Sequence, residues 1–258
     1  MKRSNSFLVN PLTILFILLA FMFNQFNFLF FHYLIAFLHE LFHFLMAKLL
    51  KVEVEEMMFL PIGFYLKINN LEDQLFIKQL LVLISGPLSY FFSLLLLKTL
   101  YKYDFISIYG YQEGLISNNF ILIFNLLPIY PLDGSKIIEL FLAPFISEYK
   151  LRITRIILSI LTLVLASSYL LSLGEIIVMI FLLITTIASI IRLKKDYVLY
   201  LISRLLKKNK RKIKMNSKKE IYRLNNNYFL ENNVLLNEQD IIKDILFSNK
   251  ENEEIYRS

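Results

Sequence analysis

His39, Glu40 and His43 form an H-E-x-x-H pattern inside the stretch FLHELFHFLMAK, residues 37–48. Residues four apart share one face of an α-helix, so the two imidazoles project together and can grip one Zn2+ at about 2.0–2.1 Å each. Glu40 sits beside the first histidine, where a carboxylate can take a proton from an attacking water and pass it to a leaving amine. The bland alternative is a hydrogen-bonded cluster between helices. Burying all three groups without a cation leaves charge and donors poorly compensated, which favours the metal. Glu40 is also the one formally charged residue between Arg3 and Lys48. An ionised side chain at mid-membrane depth costs at least about 2.5–3.5 kcal/mol, so such residues normally pair, bind something or do chemistry.

A hydrolytic zinc needs a third protein ligand and an open position. The chain has no cysteine and three histidines, and His32 lies seven residues before His39, towards the far membrane face. A carboxylate must therefore serve, and the best candidate is Asp133 in NLLPIYPLDG, residues 125–134. That segment follows a charge-free run and carries Pro128 and Pro131, which prevent a regular helix. Irregular backbone at membrane depth is tolerated only where protein or a water-filled cavity surrounds it. An Asp-Gly turn that merely ends a helix is the competing reading. The histidine pair tips the balance towards a ligand.

These residues need a scaffold, and composition says of what kind. The 258 residues are 57% hydrophobic with a mean hydropathy of +0.56, and several apolar runs are long enough to cross a bilayer. We read an α-helical polytopic membrane protein with about six spans, near 11–30, 32–50, 76–97, 113–130, 153–171 and 174–192. Lysines and arginines follow the second, fourth and sixth spans and precede the first, which predicts cytoplasmic N- and C-termini. Alternation over residues 52–68, with Pro61 and Gly63 between, predicts two short strands and a turn, a membrane-associated hairpin.

Residues 1–195 are then a six-span domain, and 196–258 a basic juxtamembrane linker with a small cytoplasmic tail. The net charge of +7 is concentrated in residues 192–219, directly after the last span. There it meets anionic lipid more simply than nucleic acid, and no nucleic-acid partner is expected. One amphipathic helix is expected from about residue 237. His32 is assigned to the membrane interface.

H-E-x-x-H in an early span followed by N-x-x-P-x-x-P-x-D-G in a later one resembles the site-2 protease family of intramembrane zinc metalloproteases. The six-span layout with a tail is similar to the branch containing stage IV sporulation protein FB. The resemblance implies His39, His43 and Asp133 as zinc ligands, Glu40 as general base, and Asn125 as a polar group near the substrate carbonyl or oxyanion. LPIG at 60–63 resembles the family's Pro-x-Gly loop, and SGPLSY at 85–90 its third-span signature, with Tyr90 where asparagine is frequent. The regulatory nucleotide-binding domain of the nearest branch is not expected here, because residues 196–258 are too few. The resemblance further implies regulated cleavage of a membrane-tethered precursor, membrane proteins that inhibit or regulate it, and a bacterial cell or forespore membrane. Two other readings stand beside it. One is a divalent metal transporter using the same His/Asp site, which would need more ionisable groups in the other membrane half. The other is a catalytically silent relative that retains membrane partners.

Overall fold

The computed structural model describes residues 6–9, 11–22, 26–60, 63–69, 71–172, 176–206, 212–216, 220–231 and 234–247. They divide into two compact units, residues 1–127 with 132–137, and residues 128–131 with 138–258.

In the first unit, β1 (Ser6–Val9) and α1 (Pro11–Met22) precede the long helix α2 (Phe26–Leu49). The break between the first two helices thus comes earlier in the chain than expected, and His32 lies inside α2. It is buried against the rings of Phe28, Tyr33 and Phe120. Strands β2 (Val54–Leu60) and β3 (Gly63–Ile68) form the expected hairpin, paired antiparallel from Leu60↔Gly63 to Val54↔Ile68. Unexpectedly, β1 adds a parallel edge to β2, from Ser6↔Glu56 to Val9↔Phe59. Pro61 and Ile62 of the LPIG segment lie outside the described residues. The hairpin is stapled to α2 by aromatic pairs, Tyr33 with Phe59 and Phe37 with Phe64.

Helix α3 (Phe76–Lys102) and helix α4 (Ile108–Leu126) complete this unit. The Ser107 hydroxyl caps α4 by accepting from the Gly110 N–H at 3.2 Å, which starts the helix five residues earlier than expected. Pro128 ends it: Leu127, the residue before it, is already extended, as pre-proline sterics require. The core gathers Phe31, Ile35 and Ala36 of α2 with Leu97 of α3 and Ile121 of α4.

The surface is inverted relative to a water-soluble bundle. Helix α3 turns Ser85, Gly86, Ser89 and Ser93 inward, while Phe91, Phe92 and Leu95 face out. Small residues inside let helices approach closely where apolar burial gives no driving force, and lipid accepts the phenylalanines outside. Two helical stretches, Asn27–Leu49 and Phe76–Lys102, are long and apolar enough to cross a membrane among the described residues.

In the second unit, α6 (Glu148–Ser172) packs on α7 (Ile176–Leu206). Helix α7 runs through position 195, so the boundary expected at 195/196 falls within a helix. Beyond it the chain is ordered into β4 (Lys212–Asn216), β5 (Asn225–Glu231), β6 (Val234–Asn237) and α8 (Glu238–Phe247). β4 pairs parallel to β5, and β5 antiparallel to β6. Helix α8 matches the amphipathic helix expected there. Residues 207–211 and 217–219 of the basic run lie outside the described residues.

This module is held by apolar and ionic contacts together. Ile221 and Ile242 pack with Tyr200 and Leu201 of α7. Arg223 forks onto Glu148 at 2.7 and 2.9 Å and reaches Glu139 at 3.3 Å, while Arg152 and Arg155 pair with Glu148 and Glu139. Burial alone would raise the Glu148 carboxyl, but Arg223 and then Arg152 outweigh it and bring it from 4.5 down to about 2. The unfolded chain therefore binds a proton that the folded one refuses, so this stabilisation is complete above pH 4.5 and lost as pH falls towards 2. At about 1.4 kcal/mol per pH unit it amounts to about 3 kcal/mol. Thermal unfolding of detergent-solubilised protein is expected to weaken across that acidic window, and Glu148→Gln to flatten the dependence while lowering stability at neutral pH. An unchanged acid profile in Glu148→Gln would remove Glu148 as its source.

Candidate metal centre

His39 and His43 occupy successive turns of α2, with ring centroids 4.9 Å apart, and both are nearly inaccessible, at 2% and 4% exposure. The His43 Nδ1 lies 2.7 Å from the Val82 carbonyl oxygen. A carbonyl only accepts, so Nδ1 carries a hydrogen and donates it, which leaves Nε2 as a lone pair turned inward. Ser85 donates to the same carbonyl at 2.6 Å and sits 3.5 Å from Nδ1.

Asp133 arrives from a distant segment. It is the first residue of α5 (Asp133–Leu142), where a carboxylate complements the helix dipole. Gly134 makes the placement feasible, because a Cβ there would lie 2.1 Å from the Leu126 carbonyl oxygen at the end of α4. The Asp-Gly dipeptide is thus a packing requirement as well as the source of a carboxylate at this point. The result is a convergence: Asp133 Oδ2 lies 2.8 Å from His43 Nε2 and 3.1 Å from His39 Nε2, and the two nitrogens are 3.3 Å apart.

Three electron-rich atoms held this close repel one another unless a proton or a cation lies among them. Two ligands about 2.0–2.1 Å from a tetrahedral zinc are about 3.3 Å apart, close to the spacings found. Room on the third side comes from Gly86 of α3, where a Cβ would meet His43 Nε2 at 2.1 Å and His39 Nε2 at 2.8 Å. The donor set of two imidazoles and one carboxylate therefore fits a divalent metal, and these three are the residues among those described whose ligand atoms cluster in this way.

Glu40 is half-buried, one position after His39 on α2. Asn125 is placed differently: its side-chain N–H donates to the Ile121 carbonyl one turn back at 3.0 Å. The structure thus brings His39, His43 and Asp133 together, with Glu40 next to His39 on α2, and engages Asn125 with its own helix. Tyr90 bridges α3 to α4, its hydroxyl donating to Asn119 Oδ1 at 3.1 Å and its carbonyl accepting from Asn118 at 3.2 Å.

No family model matches the chain, and no curated protein matches it. Among solved structures it is similar to the site-2 protease from Methanocaldococcus jannaschii, with a TM-score of 0.55 over 73% of this chain and 92% of that one. The two chains share a fold. Their sequences are 23% identical, so the likeness concerns architecture, while the chemistry rests on the site itself.

Several residues of this site-2 protease-like fold are not apparent from sequence reasoning. Val82 and Ser85 fix His43, and Gly86 vacates the space beside both imidazoles. Lys136 Nζ lies 3.2 Å from Asp133 Oδ1, the oxygen turned away from the histidines. Only the last leaves a sequence signal, since a lysine three residues after a helical aspartate reaches the same face.

Proposed function

We propose that the protein is an intramembrane zinc metalloprotease that hydrolyses a peptide bond in or next to a transmembrane segment of a membrane-tethered precursor. The observation that carries this is the convergence of His39, His43 and Asp133 within hydrogen-bond distances, on a helix that also presents Glu40. A zinc ion there would polarise the scissile carbonyl and make water nucleophilic at neutral pH. Glu40 takes the proton of the attacking water and delivers it to the leaving amine. Asn125 steadies the developing oxyanion: one N–H is committed to Ile121, and the amide group carries a second. A helical substrate keeps its amides internally bonded and must unwind before cleavage. Among the described residues strand β3 is an edge of its sheet, so an extended segment can pair along it.

The six-span layout, the cytoplasmic termini, the anionic lipid at residues 207–219 and regulation by membrane proteins belong to the same proposal. So do the sporulation-type branch and a bacterial cell or forespore membrane. The transporter alternative finds no support. The similar fold is that of a protease, and His32, the group such a path would need, is enclosed by Phe28, Tyr33 and Phe120.

The test is zinc content and cleavage of membrane-tethered substrates by purified, detergent-solubilised protein. About one zinc per chain is expected in the wild type, and Asp133→Ala should bind it at least about tenfold more weakly and lose cleavage. A wild type that holds no zinc after metal-replete purification would overturn the proposal.

A further inference from the structure

The two oxygens of Asp133 have different occupations. Oδ2 faces both imidazole nitrogens, at 2.8 and 3.1 Å, while Oδ1 points away to the Lys136 ammonium at 3.2 Å. Asp133 is almost wholly buried, whereas Lys136 keeps about a third of its side chain exposed. The lysine therefore reaches in from a wetter margin to hold one oxygen, and both residues lie in the first turn of α5.

From this we propose that Lys136 is a positioning residue that restricts Asp133 to a single ligating oxygen. The inference rests on the metalloprotease reading above. A hydrolytic zinc requires three protein ligands and one open position for water or substrate. Carboxylates readily ligate through both oxygens, and a chelating Asp133 would occupy that open position. Partners that orient ligating side chains typically matter about 10- to 100-fold in affinity or activity. Lys136 is suited to this because an ammonium offers hydrogen bonds and charge to Oδ1 without any lone pair that could compete for the metal. A surface ion pair at this helical spacing would contribute little by itself. Here the pair ends on a buried carboxylate whose other oxygen completes the site.

The test uses the full chain in detergent, loaded with Co2+ as a spectroscopic substitute for zinc, and compares wild type, Lys136→Met and Lys136→Arg. Four-coordinate cobalt absorbs visible light severalfold more strongly than five-coordinate cobalt. The wild type should show the intense four-coordinate spectrum, Lys136→Met should lose it while keeping one metal per chain, and Lys136→Arg should recover it. Substrate cleavage should fall about 10- to 100-fold in Lys136→Met and return with arginine. A merely structural salt bridge would leave the spectrum unmoved. An unchanged spectrum in Lys136→Met overturns the inference, as does a lost spectrum that arginine does not restore. If Lys136→Met does not purify folded, Lys136→Gln is read by the same criteria. Failure of the wild type itself to bind metal is a different result, and it sinks the metalloprotease reading instead.

Discussion

Replacing Glu40 by glutamine is expected to abolish peptide-bond cleavage while the protein keeps its fold and its zinc. Glutamine has the shape of glutamate but cannot accept the proton that the attacking water must lose. General acid–base assistance contributes about 10²–10⁴-fold, and a loss of that size should appear in turnover more than in substrate affinity. Zinc should stay because Glu40 is not among the three converging donors. Zinc stoichiometry and cleavage measured on the same preparation give both answers. Retained cleavage would return Glu40 to a structural role and favour a silent or binding relative of the fold.

Gly86→Ala is the second large effect, and it works in the opposite manner by removing the metal while sparing the helix. The added methyl would stand 2.1 Å from His43 Nε2 and 2.8 Å from His39 Nε2, so at least one imidazole must rotate away. Alanine is otherwise the better helix residue by about 0.5–1 kcal/mol, so α3 itself should gain. The combination is diagnostic: a protein as helical as the wild type by circular dichroism, with zinc binding and cleavage both lost. Undiminished zinc binding in Gly86→Ala would mean that the metal sits elsewhere.

The sequence carried the local parts of this architecture. H-E-x-x-H at helical spacing put His39 and His43 on one helix face with Glu40 beside them, and the double-proline segment pointed to Asp133 as the best candidate carboxylate because it breaks the helix next to that residue. Alternation over 52–68 matched the β2–β3 hairpin because its two strands are neighbours in the chain and pair with each other. What escaped detection depends on partners far along the chain. β1 is four residues long and pairs parallel with a strand some fifty residues later. In the C-terminal sheet β4 and β5 are rich in Asn and Lys, a composition that suggests a loop, and the module around it is held by contacts far along the chain, such as Arg223 with Glu148 and Glu139 about eighty residues away. Helix limits shifted for identifiable reasons, the Ser107 cap and Pro128 in α4. Gly86 gave no warning, since a glycine in a span more often eases helix packing than shapes a metal site.

His43 and Asp133 lie 90 positions apart in the chain, and that separation imposes an order on biogenesis. The histidines leave the ribosome early, on α2, but the carboxylate that completes their site follows only after α3, α4 and the proline segment have been synthesised. If the three residues hold a catalytic metal as proposed, a nascent chain with α2 already in the bilayer would have only two of the three donors and would be inert towards neighbouring membrane proteins. On the metalloprotease reading, the cation would be captured only once the intervening helices have packed, so metal acquisition would double as a checkpoint on assembly. Because a site that exists only in the folded state stabilises that state when it is filled, metal supply should also govern how much mature protein a cell retains.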